Sequence, residues 1–225
     1  MLGRLEFVSG GRSRGEWRDL YGLRVLQVCT DPRGKLGNHR LARAGAALRR
    51  GGAGRVLLPA EFENWELLER FGLRGVDPTP FLHRCAPSLA VEGLRRWDVD
   101  PLRATVALSG SRADGAMARA AMELCPQVRR LVIAAPGGER LALRLRAEFG
   151  IPVLPAQEGA HMEVKFHPSK ENRETPCLKL YGSDPDLAGG SVSFPALKEE
   201  EKGDISLLCA LWEGGKLDMG GLKFT

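Results

Sequence analysis

The stretch LRVLQVCTDPRGKLGNHRLARAGAALRRGGAGRVLLPAEFENWELLERFGLRGV, residues 23–76, decides the fold because a second stretch repeats its pattern. That second stretch, residues 104–154, is ATVALSGSRADGAMARAAMELCPQVRRLVIAAPGGERLALRLRAEFGIPVL. Each has a short apolar run, a polar loop with glycine, a helix rich in Ala, Arg and Leu, a second apolar run, a second helix and a third apolar run. LARAGAAL from Leu41 and MARAAMEL from Met117 are local echoes. We therefore predict an internal duplication of two βαβαβ halves.

Apolar runs and turn residues predict where the elements of each half begin and end. The first half has predicted strands at 23–28, 55–58 and 74–76 and predicted helices at 39–50 and 61–71. The second half has predicted strands at 105–108, 130–134 and 151–154 and predicted helices at 113–124 and 138–149. Residues 77–87, DPTPFLHRCAP, contain three prolines and are predicted to form a loop before a crossover helix at 88–97. We expect Asn38 and Ser88 to be N-caps.

Alternating strands and helices with short connections predict an α/β domain with a mostly parallel sheet. Over residues 23–154 the pattern resembles the Rossmann-type doubly wound fold. That resemblance implies one sheet with the strand order 3-2-1-4-5-6. Residues 1–22 are expected to form an edge strand and a loop. Residues 155–225 are expected to form a small β-rich α+β extension packed on the same domain.

Composition narrows the classes of function. Five scattered cysteines without a CxxC pair predict a reducing, cytoplasmic location, and no apolar run reaches the length of a membrane span. Few aromatic residues argue against a single-stranded nucleic-acid platform. Residues 1–55 contain twelve basic and four acidic residues, which favours an anionic partner. The alternative is arginine on solvated helix faces, and nothing in the composition excludes a homodimer.

A ligand in such a sheet is expected at the switch point, beyond the carboxyl ends of the strands. The predicted strand order brings the loop at 29–38 beside the loop at 109–115. The second loop contains GSRADG, in which Gly110 and Gly115 match the outer glycines of the G-x-G-x-x-G fingerprint. Arg112 replaces the middle glycine, and no carboxylate ends the next strand, which disfavours a dinucleotide. A nucleotide or dinucleotide cofactor, and with it an NADP-linked oxidoreductase, remains an alternative.

The same loop suggests an anion site. Free backbone N–H groups at a helix N-terminus favour an anion, and Arg112 could bind a phosphate or carboxylate. Our hypothesis is a phosphate- or nucleotide-type small molecule. The alternative is that Asp114 and Asn38 only cap helices while the arginines extend into solvent. The predicted ligand-binding residues are Gly110, Arg112, Asp114, Gly115, Lys35 and Thr30.

Candidate catalytic residues are few. His39 and His83 are of the residue type that exchanges protons near neutral pH, and Asp31 lies in the first polar loop. The sequence contains no Ser-His-Asp spacing and no Walker lysine. Whether the protein is an enzyme therefore stays open, with a non-catalytic regulatory or protein-interaction module as the alternative.

One further segment contains residue types that bind metal ions. His161, Glu163, Lys165 and His167 share one face of a predicted strand. Two histidines and a carboxylate could bind a metal ion, but the charge of Lys165 opposes a cation. A solvated face on an edge strand is the favoured interpretation, and no metal is predicted.

Overall fold

A computed structural model describes residues 1–10, 14–59, 62–154, 159–168, 175–182 and 184–225. The chain divides into two compact units. The first unit comprises residues 1–76 and 206–220, and the second comprises residues 77–205 and 221–225. Each unit has its own five-stranded sheet. The prediction of an α/β protein with mostly parallel strands is confirmed, while within the described residues the single predicted sheet is replaced by two five-stranded sheets and one two-stranded sheet.

The first unit contains five strands and two helices in its N-terminal part. They are β1 (Leu2–Phe7), β2 (Gly15–Leu20), β3 (Leu23–Thr30), α1 (Gly37–Arg50), β4 (Arg55–Leu57), α2 (Trp65–Glu69) and β5 (Arg74–Gly75). The sheet order is β2-β3-β1-β4-β5, and only β2 runs antiparallel to its neighbour.

The first strand, β1, was expected at an edge and lies instead at the centre of this sheet, between β3 and β4. Leu5 of β1 is 1% exposed and joins Leu41 and Leu48 of α1 in the core. Gly3 lets the strand approach α1 closely, because a Cβ there would lie 2.8 Å from Leu48 Cδ2. Packing of this face against α1 therefore stabilises β1 as a central strand.

The second unit continues the chain with one long helix, two βαβ steps and several short strands. They are α3 (Thr79–Arg96), β6 (Thr105–Ser109), α4 (Gly115–Leu124), β7 (Arg130–Ala134), α5 (Gly138–Phe149), β8 (Val153–Leu154), β9 (Met162–Lys165), β10 (Cys177–Lys179), β11 (Val192–Ser193), α6 (Ile205–Glu213) and β12 (Lys223–Phe224). From Ser206 onward, α6 belongs to the first unit. No helix within the described residues is both long and apolar enough to span a membrane.

The second sheet is parallel throughout, in the order β10-β9-β6-β7-β8. Strands β9 and β10, expected in a C-terminal extension, complete this sheet. The chain moves outward from β6 to β8 and then returns to β9 on the other side of β6. The switch point of the second sheet therefore lies between β6 and β9.

The predicted order 3-2-1-4-5-6 is not what the structure has. Both units contain the βαβαβ order of elements, but β1 separates β3 from β4, whereas β6 and β7 are direct neighbours. The repeat in sequence therefore does not extend to the positions of the strands in the sheets.

The loop predicted at 77–87 is wrong, because α3 begins at Thr79 and continues through it. Pro78 is the N-cap and Pro80 lies in the first turn, where backbone N–H groups need no partner within the helix. Only Pro87 removes an internal donor, and it is buried. Ser88 is consequently an interior residue of α3 and not its cap.

Asn38 is not the cap of α1 either. The helix begins at Gly37, and Leu36 occupies the cap position without a side-chain hydrogen bond to the helix. The preceding loop folds back so tightly that a Cβ on Gly37 would lie 1.9 Å from the Pro32 carbonyl oxygen.

Candidate functional site

Three strands of the second sheet end side by side. Ser109 ends β6, Lys165 ends β9 and Lys179 ends β10, and the three residues pair in register across the sheet. Residues that pair in register on parallel strands point to the same face. One serine and two lysines therefore form a row at the carboxyl edge, where parallel sheets bind ligands.

A buried carboxylate lies two residues before this row. Glu163 is 1% exposed and Lys165 is 8% exposed, and Glu163 Oε2 lies 3.8 Å from Lys165 Nζ. The expected solvated edge strand is therefore wrong, because β9 lies between β6 and β10 and this face of it is covered. Within the described part of the chain, no group of three His, Cys, Asp or Glu side chains is arranged to hold a metal ion.

The described residues contain four buried side-chain nitrogen or oxygen atoms without a hydrogen-bond partner. They are Ser109 Oγ, both carboxylate oxygens of Glu163, and His167 Nδ1. Glu163 Oε2 approaches Lys165 Nζ only at 3.8 Å, which is too long for a hydrogen bond. Buried polar atoms are normally paired. All four atoms lie on β6, on β9 or two residues past the end of β9, so the exceptions are confined to the switch point.

His167 is held by the loop that follows β6. Its Nε2 lies 3.1 Å from Asp114 Oδ2, while Asp114 Oδ1 accepts the N–H groups of Ala116 and Met117, each at 3.0 Å. Burial by itself raises the pKa of Asp114, but the hydrogen bond from Met117 and the proximity of His167 outweigh burial, and the pKa is lowered. Asp114 therefore caps α4 and orients His167 at once.

Gly110 makes room for His167. A Cβ at this position would lie 2.8 Å from His167 Nδ1 and 3.3 Å from its backbone nitrogen. The first glycine of GSRADG therefore allows close packing of two loops.

His83, on the first turns of α3, completes the cluster. Its Nε2 lies 3.0 Å from the Phe166 carbonyl oxygen, and its ring meets that of His167 edge-on with centroids 5.8 Å apart. Because a carbonyl only accepts, Nε2 carries the proton, and Nδ1 is the basic nitrogen of the neutral ring. Burial lowers the pKa of His83. The residue is therefore a neutral imidazole near pH 7, suited to accepting a proton.

Three of the predicted residues, Gly110, Asp114 and His83, thus surround His167. Arg112 is exposed and has no ion pair among the described residues, and Gly115 is the exposed first residue of α4. The Asp114 carboxylate already accepts two of the N–H groups at the start of α4, so that helix end is less open to an added anion than the sequence suggested.

The other four predicted residues belong to the first unit. Thr30 is the buried last residue of β3, and Lys35 and His39 are exposed. Asp31 accepts the N–H groups of Arg33 and Gly10, at 3.1 and 3.2 Å, and these hydrogen bonds lower its pKa. The loops at 29–38 and 109–115 follow strands of different sheets.

A cavity of about 560 Å³ adjoins the end of β10. Lys179 lines it together with Asp184 and Asp186. Lys179 Nζ donates to the Asp184 carbonyl oxygen at 3.0 Å and lies 5.5 Å from the centre of the Tyr181 ring. The cavity thus borders the strand next to Lys165.

Lys179 is not among the residues predicted from the sequence, where Glu163, Lys165 and His167 are assigned to a solvated strand face and not to a ligand site. The alternation at 161–167 correctly predicted a strand with Glu163 and Lys165 on one face. A lysine within the strand favours an edge position in the sheet. Only the pairing of β9 with both β6 and β10 shows that the strand lies inside the sheet.

No protein-family model matches this chain, and no curated protein matches it. Among solved structures, the L-tryptophan dehydrogenase from Nostoc punctiforme is similar at 12% identity, covering 73% of this chain and 55% of that chain with a TM-score of 0.32. The quinate dehydrogenase from Corynebacterium glutamicum in complex with NAD is similar at 15% identity, and the match covers 73% of this chain and 69% of that chain with a TM-score of 0.28. The shikimate 5-dehydrogenase from Listeria monocytogenes in complex with shikimate and NAD is similar at 9% identity, and the match covers 73% of this chain and 67% of that chain with a TM-score of 0.28. The chain spans little more than half the length of the first of these proteins.

Proposed function

We propose that the second unit binds a small anionic molecule at the carboxyl edge of its sheet, beside Ser109 and Lys165. The observation that carries this proposal is the concentration of unpartnered buried polar atoms at the β6/β9 switch point. Such atoms cost folding free energy unless a partner satisfies them. Their retention at the usual ligand position of a parallel sheet is explained by a ligand.

Two lysines at the site indicate that the ligand carries negative charge. Lys165 and Lys179 are directly paired on neighbouring strands, and like charges in such pairs repel. An anion beside them relieves that repulsion. Arg112, exposed on the loop after β6, adds a third cation on the segment that follows Ser109.

A reaction would need a proton acceptor, and His83 is the group whose geometry suits that role. The catalytic roles of His39 and Asp31 remain predictions, and so do ligand contacts by Thr30 and Lys35. A cytoplasmic location and a homodimer are also still predictions. A nucleotide or an NADP-type dinucleotide is one kind of anion that the site could take. A non-catalytic module without a small ligand is the competing proposal.

Thermal unfolding of the full chain tests the proposal with inorganic phosphate, sugar phosphates, nucleotides, NAD(P)(H), and short DNA and RNA as probes. A specific ligand raises the midpoint as its concentration exceeds its Kd. We expect Arg112→Ala to weaken the response. Arg119→Ala, which removes an exposed arginine within α4, is the matched control and should leave the response unchanged.

Three outcomes count against the proposal. No shift with any probe favours the non-catalytic module. A salt-sensitive shift with every polyanion indicates non-specific binding through the basic surface. A specific shift that Arg112→Ala and Lys165→Met both leave intact places the ligand elsewhere. A saturable shift with NADP(H), lost in these variants, would support the oxidoreductase alternative.

A further inference from the structure

Resting on the proposed function, we propose that the anion is a phosphorylated sugar, one of whose hydroxyl groups is bound between Glu163 and Lys165. In this arrangement Glu163 selects the class of ligand, because its carboxylate requires a hydrogen-bond donor.

The unpartnered atoms are mostly hydrogen-bond acceptors. Both oxygens of Glu163 are acceptors when ionised, and His167 Nδ1 is an acceptor in the neutral ring, in which Nε2 donates to Asp114. A bare phosphate ion brings mainly acceptors and repels Glu163. The ligand must therefore bring donors as well as negative charge.

A hydroxyl group fits the charge pair better than an ammonium group does. Glu163 Oε2 and Lys165 Nζ are 3.8 Å apart, so one ligand group placed near both meets opposite charges. A hydroxyl donates to the carboxylate and accepts from the ammonium group of Lys165. A ligand ammonium group would be attracted by Glu163 but repelled by Lys165 over a similar distance.

The neighbouring strand leaves this side of the pair without bulky side chains. Ala107 pairs in register with Glu163, and Ser109 pairs in register with Lys165. Ala107 and Ser109 are small and buried, at 0% and 2% exposed, so neither side chain fills the space between Glu163 and Lys165. Ser109 Oγ is itself unpartnered, and it supplies a second polar contact for a hydroxylated ligand.

Three probes test the ligand class by calorimetric titration of the full chain. They are ribose 5-phosphate, O-phospho-L-serine, which carries an ammonium and a carboxylate in place of hydroxyls, and inorganic phosphate. Hydrogen bonds to charged groups correspond to at least about a tenfold change in affinity. We expect ribose 5-phosphate to bind at least about tenfold more tightly than each of the other two.

Glu163→Gln tests the residue that sets the preference. The variant keeps the shape of the side chain but loses its charge. We expect it to reduce the preference for ribose 5-phosphate over phosphate about fivefold or more, with phosphate affinity raised because the repulsion by the carboxylate is gone. Equal binding of phosphate and ribose 5-phosphate by the unaltered chain overturns this inference and leaves the proposed anion site standing. Tighter binding of phosphoserine also overturns it. Absence of binding by all three probes overturns this inference, whereas the proposed anion site is overturned only if the nucleotides and NAD(P)(H) of the thermal-unfolding experiment also fail to bind.

Discussion

His167 Nε2 lies 3.1 Å from Asp114 Oδ2, and this contact joins the segment that follows β9 to the N-cap of α4. The other oxygen of Asp114 accepts the N–H groups of Ala116 and Met117. One carboxylate therefore stabilises a helix start and fixes the ring of a histidine two residues past the end of a central strand. Substitution of Asp114 is therefore expected to change both the stability of α4 and the position of the His167 ring.

Asp114→Ala is expected to lower the free energy of unfolding by about 1–2 kcal/mol, because a lost N-cap costs this much in proteins. Asp114→Asn should cost less, since asparagine also caps helices. Urea denaturation at pH 7 measures both. Equal stability of the alanine variant and the unaltered chain would contradict the capping role.

The same carboxylate has a pH signature. Its pKa is lowered in the folded protein, so its contribution is complete above the unfolded value of about 3.9 and is lost as the pH falls through the folded pKa. The stability difference between the unaltered chain and Asp114→Asn should therefore shrink below about pH 4. A difference that grows on acidification would reverse the assigned direction of the shift.

Gly110→Ala should destabilise the protein by about 1–3 kcal/mol, the usual range for overpacking. The added methyl would lie 2.8 Å from His167 Nδ1, and the backbone of residue 167 is close as well. Gly115→Ala, at the first residue of α4, is the matched control, because nothing lies within 4 Å of a Cβ at that position. Urea denaturation of the two variants should separate them, and a similar loss in both would show that backbone freedom and not contact with His167 is the cause.

His83 should titrate below the ordinary histidine value of about 6.5 in an NMR experiment. Burial is the main cause of the lowered pKa. Because the folded state disfavours the charged ring, the contribution of His83 to stability is present above about pH 6.5 and decreases as the pH falls toward the folded pKa. His83→Gln should flatten the dependence of stability on pH between 7.5 and 5.5. A measured pKa above 6.5 would contradict both expectations.

Local elements of this protein were predictable because their signals are local. The bounds predicted for β7 and α5, 130–134 and 138–149, match Arg130–Ala134 and Gly138–Phe149. Gly137 and Gly150, both with positive φ, mark the two ends of α5. The failure at α3 was also local in origin: prolines disfavour helix interiors but fit the first turn, and counting them did not distinguish the two positions.

Strand neighbours were not predictable because pairing joins distant segments. The sequence contains the alternation of β9 but not its partners, β6 and β10, which decide whether Glu163 faces solvent or protein. The same holds for β1: its short, Gly- and Arg-rich segment predicts an edge strand, and only its pairing with β3 and β4 shows a central one. Ser109, Gly110 and Asp114 fall in the loop that the parallel-sheet rule selected, whereas Lys165 and His167 entered the site only through the position of β9.

The Glu163–Lys165 pair is expected to reduce stability in exchange for binding, and a double-mutant cycle tests this. Lys165→Met leaves a buried carboxylate without its neighbouring charge and should cost about 3–5 kcal/mol. The double variant Glu163→Met/Lys165→Met replaces both charges by apolar chains and should be as stable as the unaltered chain or more stable, by up to about 4 kcal/mol. Urea denaturation at pH 7 gives these values, and titration with ribose 5-phosphate should show that the double variant no longer binds. A double variant less stable than Lys165→Met alone would mean that the pair holds the sheet together, since relieving a buried charge could not then account for the result.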